Sequence, residues 1–374
     1  MEGEADQIGV RGTIGKQPEL LCLINPESRV PATHPLRAIK SFVDEVLRLM
    51  SDVFEKMYAQ EGRPSIAPER LLKAKVLIAL YSVRSERLFC EMLEYNLLFR
   101  WFLDMDMMDG AWDPSTFSKN QERLKTHCVG AIFFTQVVER GREENWISDE
   151  HFTVDGTLIE AWASLKSFKP RAEHDPKPPS DDPGNPTVNF HNERRSNQTH
   201  ESTTDPEARL AKKGKGKEAK LCFGAHALME NRHGLCVDLQ VRSTEVTEVA
   251  AAKEMVQWQQ EIGQVAPKTI GADKAYHAKE FVGFCREEDI KPHVATRSDR
   301  RTAGLDGRTT QSKGYGQSQK MRKRIEEIFG WMKTVGGFRK SRYRGVERTQ
   351  LCAYFVGASY NLVRMAKLAT VSPG

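Results

Sequence analysis

The chain has 374 residues, 39% hydrophobic and 29% charged, which is long enough for two domains and ordinary for a globular protein. No uninterrupted apolar run approaches the roughly 20 residues of a membrane span, and the acidic start MEGEADQIGV argues against a signal peptide. The net charge of +5 is modest, and the seven scattered cysteines contain no CxxC pair, which argues against a zinc site or a disulfide framework. We expect a reduced cytoplasmic protein.

The first part of the chain is predicted to consist of helices alone. Apolar residues recur at helical spacing in four stretches, at 38–58, 67–83, 85–103 and 113–141. Pro68 and Ser85 stand near the starts of two of these stretches, where proline and serine are favoured. No alternating strand pattern interrupts this part, so we predict an all-helical N-terminal domain over residues 1–146.

The character of the sequence changes near residue 147. The stretch HFTVDGTLIEAW at 151–162 is short and rich in β-forming residues. Six of the chain's 17 prolines then fall between Pro170 and Pro186, and the basic run KKGKGK follows at 212–217. We interpret residues 166–220 as a Pro/Lys-rich insertion or long loop.

The rest of the chain alternates between strands and helices. A hairpin is predicted at 220–244, turning at NRHG, with His226 as a hydrogen-bonded histidine of a core strand. Helix, strand, helix and strand follow at 248–263, 268–276, 278–289 and 290–296, and two helices come last. This order predicts a mixed five-stranded sheet with flanking helices, the ribonuclease-H-like arrangement, over residues 147–368.

Two aspartates occupy similar positions in the predicted strands. Asp155 follows a short β-run in TVDGT, and Asp273 follows another in GADKAY. Chemistry in alternating α/β sheets gathers at the carboxyl ends of strands. Two aspartates there would share divalent metal ions, and hard oxygen ligands suit Mg²⁺ or Mn²⁺. A single aspartate at a strand end is more often a turn former or a helix cap, and that alternative stays open for each residue alone.

A third acid lies in the basic stretch MRKRIEEIFGWMK at 321–333. If the stretch is one continuous helix, it has a narrow apolar face, and Glu326 lies at the edge of that face with Arg322 and Lys333. Glu327 then faces away from the core. An acid flanked by bases suits phosphoryl transfer, in which carboxylates hold metal and bases hold phosphates. The alternative is a surface ion pair between Arg322 and Glu326.

Basic residues concentrate in one segment. Residues 297–344 carry 14 Lys and Arg against four Asp and Glu, so the rest of the chain sums to −5. Such a segment is typical of a protein that binds a phosphate backbone, although a solvated face gives the same pattern. The candidate DNA-binding residues in this segment and in KKGKGK are Arg322, Lys323, Arg324, Lys333, Arg339, Lys340, Arg342, Arg344, Lys213, Lys215 and Lys217.

The spacing Arg322-x3-Glu326-x6-Lys333 resembles the signature around the third acid of bacterial insertion-sequence transposases with an Asp-Asp-Glu site. Longer stretches, from about residue 34 to 366, resemble the branch called insertion sequence family five. They are YNLLFRWFLDMD with WDPSTFSKNQERL, then TVDGTLIEAWASLKSFKP, the stretch from NFHNERRSN to GLCVD, and RKRIEEIFGWMKTVGGFRKSRYRG. One position departs from the signature, because Gln319 stands where the family has tyrosine.

The resemblance implies a DDE transposase that cuts terminal inverted repeats and joins 3′-hydroxyls to target DNA. It implies that Asp155, Asp273 and Glu326 are the catalytic acids and hold two Mg²⁺ ions, with Mn²⁺ as a substitute. Double-stranded DNA would be the partner. We expect the N-terminal domain to bind it within a homodimer, in the bacterial cytoplasm at the nucleoid.

Two alternatives remain on the sequence alone. A nuclease or junction resolvase with the same fold would need neither inverted repeats nor strand joining. A catalytically inactive DNA-binding regulator is the other alternative. Decayed relatives of that kind should lack at least one of the three acids, whereas this chain has all three.

Overall fold

The protein is described from a computed structural model for residues 25–57, 65–171, 189–190, 193–214, 216–296 and 304–371. Lys215, one of the predicted DNA-binding residues, lies outside these ranges. Within them, no helix is long and apolar enough to cross a membrane. The six cysteines in these ranges are all free thiols.

The described N-terminal part is helical throughout, as the apolar spacing predicts. Its helices are α1 Pro26–Arg29, α2 Leu36–Leu49, α3 Ser51–Met57, α4 Pro68–Leu80, α5 Glu86–Tyr95, α6 Leu97–Phe102, α7 Pro114–Thr126 and α8 Val129–Glu143. The buried faces of these helices meet in an apolar core that includes several aromatic side chains. This burial, rather than helix propensity, supplies most of the stability of short helices.

Local caps divide two of the predicted helices. The side chains of Ser85 and Asn96 each accept a backbone N–H at 3.1 Å, so that one begins α5 and the other begins α6. Cys128 has a left-handed backbone with φ of 51°, which separates α7 from α8. The predicted helical stretches at 85–103 and 113–141 each form two helices, as does the stretch at 38–58, because apolar spacing does not reveal an interruption within a run.

The C-terminal part is built on one large mixed sheet. The strands are β1 Phe152–Glu160, β2 Phe168–Pro170, β3 Asn189–Phe190, β4 Glu193–Arg194, β5 His200–Ser202, β6 Arg209–Ala211, β7 Lys220–Glu230, β8 Cys236–Ser243, β9 Thr269–Ala272 and β10 Lys291–Val294. The sheet runs β10-β9-β1-β7-β6, and β8 also pairs with β7. β7 is antiparallel to β1 and β8, whereas β9 and β10 continue from β1 in parallel. The predicted mixed sheet of ribonuclease-H-like type is confirmed.

The described part of this sheet has six strands, so the predicted count of five was wrong. The additional strand is β6, which comes from the predicted insertion and is too short to give an alternating pattern. The insertion also hydrogen-bonds to the backbone at the start of the last helix. Asp205 accepts the backbone N–H of Gly345 at 3.1 Å, and Glu207 accepts that of Val346 at 2.9 Å.

Six helices accompany the sheet in the described residues. They are α9 Glu248–Glu261, α10 Lys279–Glu287, α11 Gly307–Thr310, α12 Lys313–Met321, α13 Ile325–Thr334 and α14 Val346–Val371. The prediction of one continuous helix at 321–333 was wrong, because a 3₁₀ turn at Arg322–Arg324 separates α12 from α13. The predicted apolar face is nevertheless buried, through Ile325, Ile328, Phe329 and Met332.

The last helix connects the two parts of the molecule. The ring centre of Phe355 on α14 lies 5.8 Å from that of Phe133 on α8, and the ring centre of Tyr354 lies 5.9 Å from that of Phe134. The same helix packs on β8, and one cluster of buried apolar side chains runs through both parts. The division into domains at residues 1–146 and 147–368 stays a prediction.

Candidate active site

The strand register brings Asp155 and Asp273 together. In the parallel pair of β1 and β9, Thr153 lies opposite Gly271, and β9 ends at Ala272. Asp155 therefore lies across from Asp273, the residue that follows β9. Asp155 is in the middle of β1 and not at a strand end as predicted, because β1 continues along β7 after β9 has stopped.

The carboxyl group of Asp155 is half-buried and surrounded by charges from other elements. Burial raises its pKa to about 6, and the negative charges of Asp273 and Glu326 act in the same direction. The backbone N–H of Gly156, which donates at 2.8 Å, and the positive charge of Arg322 lower the pKa and so oppose these effects. The charges of Asp273, Arg322 and Glu326, which are far from Asp155 in the sequence, therefore all affect the pKa of Asp155.

Asp273 also has the capping role that was considered for it. Its Oδ1 accepts the backbone N–H of Ala275 at 2.7 Å and begins the 3₁₀ turn at Lys274–Tyr276. The cap uses one carboxylate oxygen and fixes the side chain where β9 ends. The capping role and a position beside Asp155 are therefore compatible.

The two adjacent glutamates of α13 have different surroundings. Glu327 pairs with the guanidinium of Arg364 on α14 at 2.8 Å. Glu326 is exposed, and its charge acts on Asp155. Glu326, rather than Glu327, is therefore the glutamate whose charge acts on Asp155, although Glu326 does not line the cleft that contains the two aspartates.

Arg322 lies in the 3₁₀ turn that precedes Glu326. The two described side chains form no ion pair with each other, so the alternative of an ion pair between them was wrong, because the 3₁₀ turn replaces the regular helical spacing. The Nε atom of Arg322 is buried without a hydrogen-bond partner in the described structure. Since buried donors are usually paired, this one is available to a ligand beside Asp155.

Three bases gather beside β1, on the side of the sheet where Asp155 lies. Lys333 donates to the hydroxyl of Thr157 at 2.5 Å and is half-buried. Burial lowers the pKa of Lys333, and the nearby positive charges of Lys213 and Arg339 lower it further. The structure therefore brings together candidates from the insertion, from α13 and from the segment after α13.

The remaining predicted DNA-binding residues fall into two groups. Arg324 donates to the carbonyls of Asn231 and Arg232, each at 2.7 Å, and Arg342 donates to the carbonyl of Val83. These bonds give both arginines a role in holding the fold together. DNA contact stays a prediction for all of these residues, and the side chains are exposed at Lys217, Lys323, Arg339, Lys340 and Arg344.

Gln319 replaces the family's tyrosine and has a partner within the fold. Its Nε2 donates to the carbonyl of His293 at 2.5 Å. One turn earlier on α12, the hydroxyl of Tyr315 donates to the carbonyl of Val294 at 2.9 Å. Both side chains therefore fasten α12 to β10 at the edge of the sheet.

Asp155 and Asp273 line an open cleft of about 400 Å³. Its wall also contains Lys213 and two residues that the sequence analysis did not assign to a site, Glu248 and His226. Burial raises the pKa of Glu248, and the charges of Asp155 and Asp273 raise it further. A glutamate in the first turn of a helix is common, so the sequence carries no specific signal for Glu248.

His226 differs from the expected hydrogen-bonded core histidine. It is only 4% exposed, yet neither ring nitrogen has a hydrogen-bond partner in the described structure. Burial lowers its pKa to about 4, with the charge of Arg242 acting in the same direction, so the ring is neutral at pH 7. The prediction of burial was right and the prediction of a satisfied ring was wrong.

The donor set of the cleft suits a hard divalent cation, because it consists of carboxylate oxygens. Among the described residues, no three His, Cys, Asp or Glu side chains are close enough together to hold a metal ion in their present rotamers. Like charges repel, so neighbouring acids favour separated rotamers unless a cation lies between them.

Residues 149–362 match the family described as Transposase DDE domain. The chain belongs to this family. Residues 24–123 match a second family, Transposase domain (DUF772). The protein is therefore a DDE transposase of the insertion-sequence type, a family that uses divalent metal ions. Family membership favours this function over a nuclease or an inactive regulator.

Several solved transposase structures are remotely similar to this DDE transposase. The piggyBac transposase synaptic complex with hairpin DNA has a TM-score of 0.40 and 10% identity, over 92% of this chain and 77% of that chain. The pre-cleavage Mos1 transpososome has a TM-score of 0.20 and 12% identity, over 84% and 81%. The Mos1 mariner paired end complex with Mn has a TM-score of 0.20 and 13% identity, over 91% and 88%. No curated protein matches the sequence significantly.

Proposed function

We propose that this transposase resembles insertion sequence family five in its reaction, cutting DNA at terminal inverted repeats and joining the 3′-hydroxyls to target DNA. Asp155, Asp273 and Glu326 are its catalytic acids. The observation that carries the proposal is the strand register that places Asp155 of β1 across from Asp273 at the end of β9. The charge of Glu326, from α13, acts on the same carboxyl.

The three acids are the ligands of two Mg²⁺ ions in this proposal, with Mn²⁺ as a substitute. The fit rests on the donor chemistry, because hard carboxylate oxygens suit these ions. It also rests on the pKa of Asp155, since burial and like charges penalise an anion that a cation would stabilise. When bound, two such ions activate the attacking oxygen and stabilise the leaving oxygen.

The bases around the acids hold the DNA backbone. Arg322 offers a buried, unpartnered Nε–H beside Asp155, and a phosphate oxygen is a suitable acceptor for it. Lys333, Lys213 and Arg339 form a positive rim beside β1. Phosphates bound there would place the scissile bond next to the acids.

The helical part over residues 1–146 binds the ends of the element, and a homodimer holds two ends together in the cytoplasm at the bacterial nucleoid. The connection through α14 supports this proposal, because end binding by the helices can then position the sheet. Deleting the helical part would expose the apolar face of α14. Cross-linking to photoreactive end DNA is therefore the cleaner test, with cross-links expected within residues 1–146 and a dimer expected by light scattering.

The reaction is tested with a plasmid that carries the gene and its native flanking DNA, with and without Mg²⁺. Wild type is compared with Asp155→Asn, Asp273→Asn and Glu326→Gln, and products are mapped to the nucleotide. We expect cuts at the inverted repeats that need metal and all three acids. Glu327→Gln is the matched control, because it changes the neighbouring charge outside the cleft and should cut normally.

Each alternative predicts a different product. Cuts scattered without regard to the repeats would show a nuclease. Specific end binding without cutting, in the presence of Mg²⁺ or Mn²⁺, would show a regulator. Normal cutting by Asp155→Asn would remove that residue from the mechanism.

A further inference from the structure

Glu248 is the third acid that lines the cleft of Asp155 and Asp273, and with Glu326 of α13, which is not part of that lining, it makes a fourth acid near Asp155. It is the first residue of α9, and the side chain of Thr247 fixes the start of that helix by accepting the backbone N–H of Ala250 at 3.1 Å. The helix follows β8, so Glu248 reaches the cleft from an element that carries none of the other three acids.

Gly156 shows how closely Glu248 approaches the backbone of β1. A Cβ atom placed on Gly156 would lie 3.3 Å from Oε1 of Glu248 and 3.0 Å from Nδ1 of His226. The Glu248 carboxylate therefore lies against the backbone of the residue that directly follows Asp155. The missing side chain at Gly156 leaves the space in which the side chains of Glu248 and His226 approach β1.

His226 provides an independent sign that a ligand belongs here. The ring is almost completely buried, both its nitrogens lack a hydrogen-bond partner in the described structure, and it lines the same cleft. A Cβ atom on Gly224 would lie 2.9 Å from Nε2, so the glycines at 156 and 224 both make room for the ring. Buried polar atoms are normally paired, and a water or phosphate oxygen in the cleft would pair with this ring.

We propose that Glu248 is a fourth carboxylate ligand of the metal site, shared with Asp155, and that His226 hydrogen-bonds to a water or phosphate oxygen held beside it. The inference rests on the proposed metal-dependent function. It adds a ligand from α9 to the acids from β1, the end of β9 and α13. Glu248 would thereby fix the position of a cation against the backbone at Gly156.

Metal binding tests the proposal without any reaction. Mn²⁺ is titrated into the full chain in the absence of DNA, and free Mn²⁺ is followed by electron paramagnetic resonance. Glu248→Gln should weaken Mn²⁺ binding at one site by roughly 10–100-fold, the range typical of changed partners around a metal. Glu248→Asp, which keeps the charge, should retain part of the affinity. Glu261→Gln is the matched control on the same helix, and it should bind like wild type.

Thermal unfolding in EDTA separates a ligand from a structural glutamate. Removing one of several repelling acids should raise the Tm of Glu248→Gln by about 1–3 °C. A glutamate that only stabilises the start of α9 would lower the Tm when changed to glutamine. A lower Tm together with unchanged Mn²⁺ affinity would overturn the proposal.

Asp155→Asn separates a failure of the Glu248 proposal from a failure of the proposed metal-dependent function. If Asp155→Asn weakens Mn²⁺ binding and Glu248→Gln does not, the fourth ligand is refuted while the proposed function stands. If neither change weakens binding, the metal-dependent function at this cleft is itself refuted. Weakening by both, with Glu261→Gln unchanged, supports both proposals.

Discussion

Charged side chains are arranged differently in the helical part and around the cleft of Asp155 and Asp273. In the helical part, buried bases have direct acidic partners. Lys73 bridges Asp44 and Asp104, and Lys75 pairs with Glu86 at 2.6 Å. Because burial without a partner is costly for a charge, these pairs are what allow lysines to lie inside the helical core.

In the cleft, acids and bases lie close together without pairing. Within the described residues, Asp155, Asp273 and Glu326 form no ion pair, although Arg322 is near enough to lower the pKa of Asp155. Such an arrangement costs stability, since like charges repel and buried donors stay unpaired. Charge pairing is thus a feature of the scaffold of this transposase, whereas unpaired charge is concentrated at the proposed site for metal and DNA.

The largest expected effect comes from Asp155→Asn. End cleavage should fall at least about a thousandfold, equivalent to roughly 4 kcal/mol of barrier, because a metal ligand is lost. The same change should raise the Tm in EDTA at pH 7.5, since a half-buried anion among acids is removed. A nucleotide-resolution cleavage assay and a thermal melt measure the two effects. A Tm well below wild type would contradict the view that this charge is held at a cost.

Lys75→Met, in the helical part, should lower the stability of the protein and leave the acids of the cleft unchanged. Lys75 is 6% exposed, and its loss leaves the Glu86 carboxylate largely buried without its cation. We expect about 3 kcal/mol of destabilisation in urea unfolding, with the catalytic acids untouched. Lys119→Met on the exposed surface of α7 is the matched control and should change stability by less than about 0.5 kcal/mol. Equal effects of both changes would remove the contrast between paired and surface lysines.

Asp238 on β8 tests the effect of burial on an acid away from the cleft. Burial raises its pKa to about 7, although the amide of Gln240 donates to it at 2.9 Å. Because the folded-state pKa lies above that of the unfolded chain, the protein should lose stability as the pH rises from about 4 to 7. The loss is expected to be roughly 1–3 kcal/mol, and Asp238→Asn should flatten this part of the profile. An unchanged profile, measured by urea unfolding across pH, would contradict the assignment.

Lys333→Met should have the smallest effect, a change in DNA affinity with little change in protein stability. Losing one phosphate contact should reduce the slope of log affinity against log salt by about one, equally for end DNA and unrelated DNA. Lys367→Met, at the exposed end of α14, is the control. A loss confined to end DNA would show that Lys333 reads the end sequence instead of its backbone.

Much of the site follows from local sequence. The buried face of α13 requires its apolar spacing, and that spacing leaves Glu326 outside the core. The order of strands and helices likewise predicts the mixed sheet. The sequence did not predict where helices are interrupted. The 3₁₀ turn at Arg322–Arg324 is an example, because the residues in this turn have ordinary helix-forming side chains.

Other features have no local signal at all. In the sequence, Glu248 is one more glutamate in the first turn of a helix, and only the fold places it near Asp155 and Asp273. His226 likewise has the sequence context of any core residue, and only the structure shows that its ring nitrogens lack partners. Gln319 departs from the family signature, and only the fold shows that it bonds to β10.

The sequence by itself determined which residues can be acids, bases and core in this transposase, because these properties belong to side chains and their spacing. The tertiary structure alone decided which of them meet. Asp155 lies in the middle of its strand, and it lies across from Asp273 because of the register of the long-range parallel pair of β1 and β9. Contacts between residues more than a hundred positions apart depend on strand register and packing, which no short stretch of sequence contains.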